Sequence, residues 1–233
     1  MPDPQRPSHR LSRGELRSRA VLLGALLATG VFPVAMLVAR TAVARQISYR
    51  FLLWNLFLAG LPVLFALGVD AASRRGRTVG AMVLGLGWLL VFPNAPYLLT
   101  DLVHLREVPP SPLWFDALIL GSAAIAGLLA GFVSLHFVQE VVSARLGQAR
   151  GWVMSLGVLG LTGFGVYIGR FARFNSWDVF TRPRTLLYDV GSTVALEDTP
   201  RALVVTALVA SFLMVTYVTI EMLTRVGREL PRP

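Results

Sequence analysis

The chain is 233 residues long, 55% hydrophobic and only 15% charged, with a mean hydropathy of +0.62, more apolar surface than a soluble domain can hide. It has no cysteine, which excludes disulfides, iron–sulfur clusters and cysteine–zinc sites; its 22 basic residues are all arginine, which excludes Schiff-base and P-loop lysines. The net charge of +9 does not point to nucleic acid, because the arginines lie mainly between apolar runs, where orientation in a bilayer accounts for them.

Residues 1–19 are polar and basic, with three prolines, and predict a disordered or surface-lying cytoplasmic tail. The apolar run at 20–39 is too long for the core of a signal peptide and lacks a small-residue cleavage site, so it reads as an anchor that stays. Further runs follow at 51–69, 79–98, 114–138, 152–169 and 202–222, each long enough to cross the hydrocarbon core as a helix. A short tail closes the chain at 225–233. The expected fold is all-α, a polytopic bundle of about six transmembrane helices over 20–224. Asp70 with Arg74, and Glu221 with Arg225, stand four apart at helix ends and predict ion pairs near the headgroups. Trp114 and Trp152 open their spans where interfacial tryptophans sit. The pairs Gly127/Gly131 and Gly165/Gly169 predict notches for helix packing. With both termini in the cytoplasm of a bacterial cell, thirteen arginines lie on the inner side of the inner membrane and nine on the outer, the sense the positive-inside pattern requires.

The third span ends on VFPNAPYLLTDLVHL, residues 91–105. Pro93 and Pro96 each remove a backbone donor and disfavour helix at the residue before, so the span should break at Pro93–Pro96 before the crossing is complete. Backbone groups freed at that depth need protein or a watered cavity around them. Asn94 is placed to cap a helix that starts there. Wound as α-helix, the next residues would bring Tyr97, Asp101 and His104 onto one face, flanked by Asn94 and Thr100, with Leu98, Leu99, Leu102, Val103 and Leu105 opposite. Such a face either meets water and headgroups or lines a pocket in the bundle. In a pocket, His104 is the candidate acid/base, Asp101 its orienter, and Tyr97 the third catalytic candidate.

Together with LWFDALIL (113–120) and GVYIGRFARFNSWDVF (165–180), the stretch FPNAPYLLTDLVHL resembles the hallmark segments of a bacterial integral-membrane family, domain-of-unknown-function family 1361. The resemblance runs from about residue 50 to the C-terminus. It implies a multi-pass membrane protein and carries no activity with it.

The second polar stretch follows the fifth span. Arg170 and Arg173 share a helical face, and Asn175 or Ser176 can cap a short helix with Asp178 in its first turn. These arginines either reach lipid phosphates at the surface or face Asp101 and His104 as a cluster that grips phosphate or carboxylate bidentately. Asp116, just inside the fourth span on the same side, needs an arginine partner. Asn94, Asp116, Arg170, Arg173, Asn175, Trp177 and Asp178 are therefore the candidate substrate-binding residues. His136, Gln139 and Glu140 sit at the far end of span four and predict a separate, headgroup-level polar end.

The metalloprotease, nucleophile-elbow, Walker and dinucleotide motifs are absent. Three scattered histidines do not make a zinc centre, and no residue pattern names a cofactor. The expected partners are the bilayer and a lipid-linked or other anionic small molecule. Three functions stay open: an enzyme acting on an amphipathic, phosphate-bearing substrate at the outer leaflet; a transporter built on the broken helix; and a non-catalytic accessory protein. The first predicts a lateral groove at His104 and Arg170. The second predicts a watered path past Asn94. The third predicts an exposed face around Trp177.

Overall fold

The first helix starts well before the apolar run does. Ser12 Oγ accepts from the Glu15 N–H at 3.2 Å, and Glu15 accepts from the Ser12 N–H at 2.7 Å. This capping box launches α1 at Arg13 and carries the basic segment into the helix, which runs Arg13–Ala44 and ends on Arg45 in the left-handed region at φ 51. The computed structural model describes residues 11–45, 49–105, 111–172, 181, 184–185, 188 and 199–229, and among these there is no strand. After α1 come α2 (Phe51–Arg74), α3 (Thr78–Val91), the single turn α4 (Asn94–Tyr97), a 3-10 turn over Leu98–His104, α5 (Leu113–Leu146), α6 (Gln148–Tyr167), a π-helical turn over Ile168–Ala172, and α7 (Thr199–Glu229). Taking Thr78–His104 as one broken unit, six helices are long and apolar enough to cross a membrane. The all-α bundle with an interrupted third span is what the hydropathy and the prolines predicted.

α5 is the hub. It packs against α1, α2, α6 and the broken segment, and Ile119, Leu120, Ala123 and Leu135 on it are fully buried. One apolar cluster fills the middle of the bundle with Trp88, Phe92, Leu135, Leu159, Leu213 and Tyr217. A second, toward the end where the third span breaks, joins Leu52, Ala95, Leu98, Ile119, Leu120 and Ala123. Lipid tails are as apolar as leucine, so helices gain little from hiding apolar surface and associate through close packing and polar contacts. Gly163 supplies one such approach: a Cβ there would lie 2.6 Å from the Thr206 carbonyl of α7.

The end of the bundle that carries both chain termini is held by polar pairs. Arg74 Nε donates to both Asp70 oxygens, at 2.9 and 3.0 Å, and Arg19 joins the same carboxylate at 2.5 Å. Glu221 meets His136 at 2.6 Å, while the Arg225 guanidinium stacks 5.4 Å from the Trp152 ring centre. Gln139 is fully buried and accepts from Ser155 at 2.6 Å and from Tyr217 at 2.8 Å. The polar end of span four thus works inward, tying α5 to α6 and α7.

Candidate functional site

The interruption in the third span follows from which backbone donors the prolines remove. Pro96 has no N–H, so Phe92 O loses its helical partner and instead accepts from the Ala95 N–H at 3.1 Å. That shift would strand Val91 O, and Asn94 Nδ2 donates to it at 2.9 Å. Asn94 therefore repairs the carbonyl side of the break; the expected role, side-chain capping of the new helix, is not made. The Pro93 carbonyl accepts from the Tyr97 N–H at 3.1 Å, and Thr100 Oγ1 donates to the Tyr97 carbonyl at 2.7 Å. A freed backbone is thus satisfied by protein, as membrane depth demands.

The broken segment is seated by the glycines of α5. A Cβ on Gly127 would collide with the Ala95 carbonyl oxygen and lie 2.7 Å from Leu98 Cδ1; one on Gly131 would lie 3.2 Å from Ala95 Cβ. From the other side Gly165 of α6 meets Pro93, where a Cβ would lie 3.3 Å from Cγ. The Gly127/Gly131 notch and Gly165 fit the packing role expected of them, and their partner is the break itself.

Residues Leu98–His104 wind as a 3-10 helix, with about three residues per turn. Three-residue periodicity keeps Asp101 and His104 on one face with Leu98, and turns Tyr97 toward the face of Thr100 and Val103. The clustering of Tyr97 with Asp101 and His104, expected from α-helical winding, is therefore replaced by a pair. Leu98 and Asp101 are buried, whereas Leu102, Val103 and His104 are exposed.

Arg170 comes to this pair from the π-helical turn that closes the fifth span. The wider winding of such a turn re-aims side chains, and π-turns recur at functional sites. Both terminal guanidinium nitrogens lie 3.3 Å from His104 Nε2, and one lies 4.0 Å from the Asp101 carboxylate. Guanidinium has only donors, so these contacts are hydrogen bonds when His104 Nε2 is the acceptor. The Asp101 carboxylate accepts from Asn55 Nδ2 of α2 at 2.8 Å. A second neighbour of the carboxylate is the charged Arg170. The Phe51 ring packs against His104 at a tilt of 53°, with ring centres 4.8 Å apart.

Asp116 has the arginine that its depth called for, but the partner is Arg40 of α1. Arg40 Nε and Nη2 donate to its two oxygens at 2.6 and 3.0 Å, with both side chains almost fully buried. Tyr49 Oη and Ser111 Oγ complete the carboxylate, each donating at 3.1 Å. Tyr49, at φ 57, also lies under the Arg40 guanidinium, 5.2 Å from its ring centre. Burial first, then the bond to Asp116 and that carboxylate's charge, raise the Tyr49 phenol above its ordinary value. Asp116 thus belongs to a closed structural cluster beside the His104–Arg170 pair, connected to it through Tyr49 and Phe51, whose ring centres are 6.1 Å apart. Arg173, Asn175, Trp177 and Asp178 lie outside the described residues.

Sequence reasoning did not select Arg40, Tyr49, Phe51, Asn55 or Ser111. Two of them carried a readable signal: Arg40 is a charge inside the last turns of an apolar helix, and Asn55 is an amide in an apolar span, both costly without a partner.

No curated protein and no solved structure matches the chain. The family model described as "Protein of unknown function (DUF1361)" matches residues 54–216, which takes in Asn55, the broken span, Asp116 and Arg170 and leaves out Arg40, Tyr49 and Phe51. On a match over most of its length, the chain belongs to the DUF1361 family.

Proposed function

We propose that this protein binds an amphipathic, phosphate-bearing lipid-like anion at the membrane face where the third span breaks. Arg170 is the anion's main partner, and His104 is the proton-exchanging group beside it. The observation that carries this reading is the setting of Arg170, 3.3 Å from His104 Nε2 and 4.0 Å from Asp101. A phosphate oxygen is a charged acceptor and makes stronger bonds to guanidinium than a neutral imidazole does, so an arriving phosphate displaces the ring. His104 Nε2 is then free to take a proton and donate to the same anion. Asp101, fixed by Asn55, balances and aims Arg170 while the site is empty. Arg173, Asn175, Trp177 and Asp178 follow Arg170 in the chain and are proposed as further contacts, with Asn94 at the foot of the site.

A lipid substrate is favoured over a soluble one by what lies below. On the seam between α3 and α6, a pocket of about 340 Å³ opens between Leu86, Leu89, Leu90, Pro93, Leu161 and Thr162, on the same two spans that bring His104 and Arg170 together. Its apolar lining suits the tail of an amphiphile. The transporter reading gains less support, because Trp88, Phe92, Leu135, Leu159 and Leu213 fill the bundle between the break and its far end. Hydrolysis of a bound phosphate ester with His104 as acid/base is the enzymatic extension of the same site.

The test is titration of dioctanoyl phosphatidate, dioctanoyl phosphatidylcholine and inorganic phosphate into the detergent-purified protein. Phosphatidate should bind best, and Arg170→Gln should weaken it by about 10- to 100-fold, the range for losing a charged hydrogen bond. Equal binding of the choline lipid, or indifference to Arg170→Gln, contradicts the proposal.

A further inference from the structure

α1 and α2 are consecutive in the chain, yet α1 seats its backbone on α5 and stands off from α2 over most of their length. The gap between them is a groove of about 560 Å³, walled by Gly30 and Val34 of α1 and by Gly60 and Leu64 of α2, and floored by Ala126 and Ala130 of α5. Its lining is apolar throughout. On α2 it reaches from Leu53 to Leu67, about 20 Å along the helix axis at 1.5 Å per residue.

The groove ends beside charge. Leu23 is the lining residue of α1 nearest the chain termini, and Arg19 lies one turn beyond it on the same face. Leu67 is its counterpart on α2, and Arg74 lies two turns beyond. Arg19 and Arg74 share the single Asp70 carboxylate. Arg13, Arg17, Arg75 and Arg77 belong to the same helix ends and are exposed, and the exposed Glu15 is within reach of the Arg19 and Arg74 charges. Among the described residues of these two helix ends, six guanidiniums stand against two carboxylates.

We propose that this groove is a resident site for one anionic phospholipid, with an acyl chain between α1 and α2 and the phosphate among Arg19, Arg74 and their neighbours. The slot is lined by apolar residues along its whole length, the surface an alkyl chain takes. Charge selects the headgroup, because an acidic lipid supplies the counter-charge that Asp70 and Glu15 leave short. The groove lies on the face of α2 away from Asn55, and its arginine end is at the opposite end of the bundle from His104, so it does not rest on the function proposed above.

Two glycines give a clean test. A Cβ on Gly30 or Gly60 meets nothing within 4 Å, so the first carbon of the leucine in Gly60→Leu or Gly30→Leu has room where it enters the slot. The full-length protein is delipidated in detergent, reloaded with palmitoyl-oleoyl phosphatidylglycerol or phosphatidylcholine, and analysed by native mass spectrometry and thermal melting. The wild type should retain one phosphatidylglycerol, at least tenfold in preference to phosphatidylcholine, and melt higher with it. Gly60→Leu should lose that lipid and melt in lipid-free detergent at least as high as the delipidated wild type. His104→Gln should retain it. Retention of phosphatidylglycerol by the plugged variants overturns the location; equal retention of both lipids overturns the headgroup claim; a dimer that the plug dissociates overturns the occupant.

Discussion

Asp116 sets the energetics at the scale of single residues. It is buried, bidentate to Arg40 and bonded by Tyr49 and Ser111, so each partner leaves a cost behind when removed. Asp116→Asn strands the Arg40 charge and should destabilise the protein by about 3–5 kcal/mol, the usual scale for half of a buried pair. Arg40→Met with Asp116→Leu should recover much of that loss, since two apolar residues leave no orphaned charge. Thermal melting of the three proteins in detergent checks both statements, and a double variant no better than Asp116→Asn alone contradicts the pairing. Tyr49 adds a pH dependence. Its folded-state pKa lies above the ordinary 10.0, so the folded protein keeps the phenolic proton to higher pH than the unfolded chain does. Stability should fall as pH climbs past about 10, and Tyr49→Phe should remove part of that fall in melts from pH 7 to 11.

At the scale of elements, the break in the third span and the glycines of α5 are one device. Two prolines free backbone groups, Asn94 restores one of them, and Gly127 admits the Ala95 carbonyl where any Cβ would intrude. Gly127→Ala should therefore push the segment off α5, destabilise the fold by about 1–3 kcal/mol as overpacking does, and weaken phosphatidate binding through displaced Asp101 and His104. Gly85→Ala is the control, because a Cβ there meets nothing within 4 Å; phosphatidate titration of both variants should separate them. The prolines made the break legible in the sequence, and the cost of intramembrane charge made Asp116's need for an arginine legible. Which arginine answered was not: Arg40 and Asp116 are 76 positions apart, and no local pattern records that distance. The winding after Pro96 was hidden for a similar reason. A 3-10 turn differs from an α-helix in hydrogen bonding, not in composition, so Tyr97 was grouped with Asp101 and His104 on a period the chain does not use. Asn55 was passed over because one amide in an apolar span reads as nothing until its acid is found.

For the whole molecule, six spans place the end of the third, the start of the fourth and the end of the fifth on one side. That topology brings Arg170 to His104 across 66 positions. The arginine balance predicts that this side faces out of the cell. The chain has no native cysteine, so a single cysteine at Ser192 should react with an impermeant thiol reagent in intact cells and one at Ser73 should not; the reverse pattern inverts the orientation. The account as a whole stands on His104 and Arg170 acting as one site. A double-mutant cycle on phosphatidate affinity, with His104→Gln, Arg170→Gln and the pair, tests this directly. The account predicts strong coupling, with the double variant binding little worse than Arg170→Gln alone and an interaction energy of about 1 kcal/mol or more. Losses that simply add would show two independent residues and contradict it.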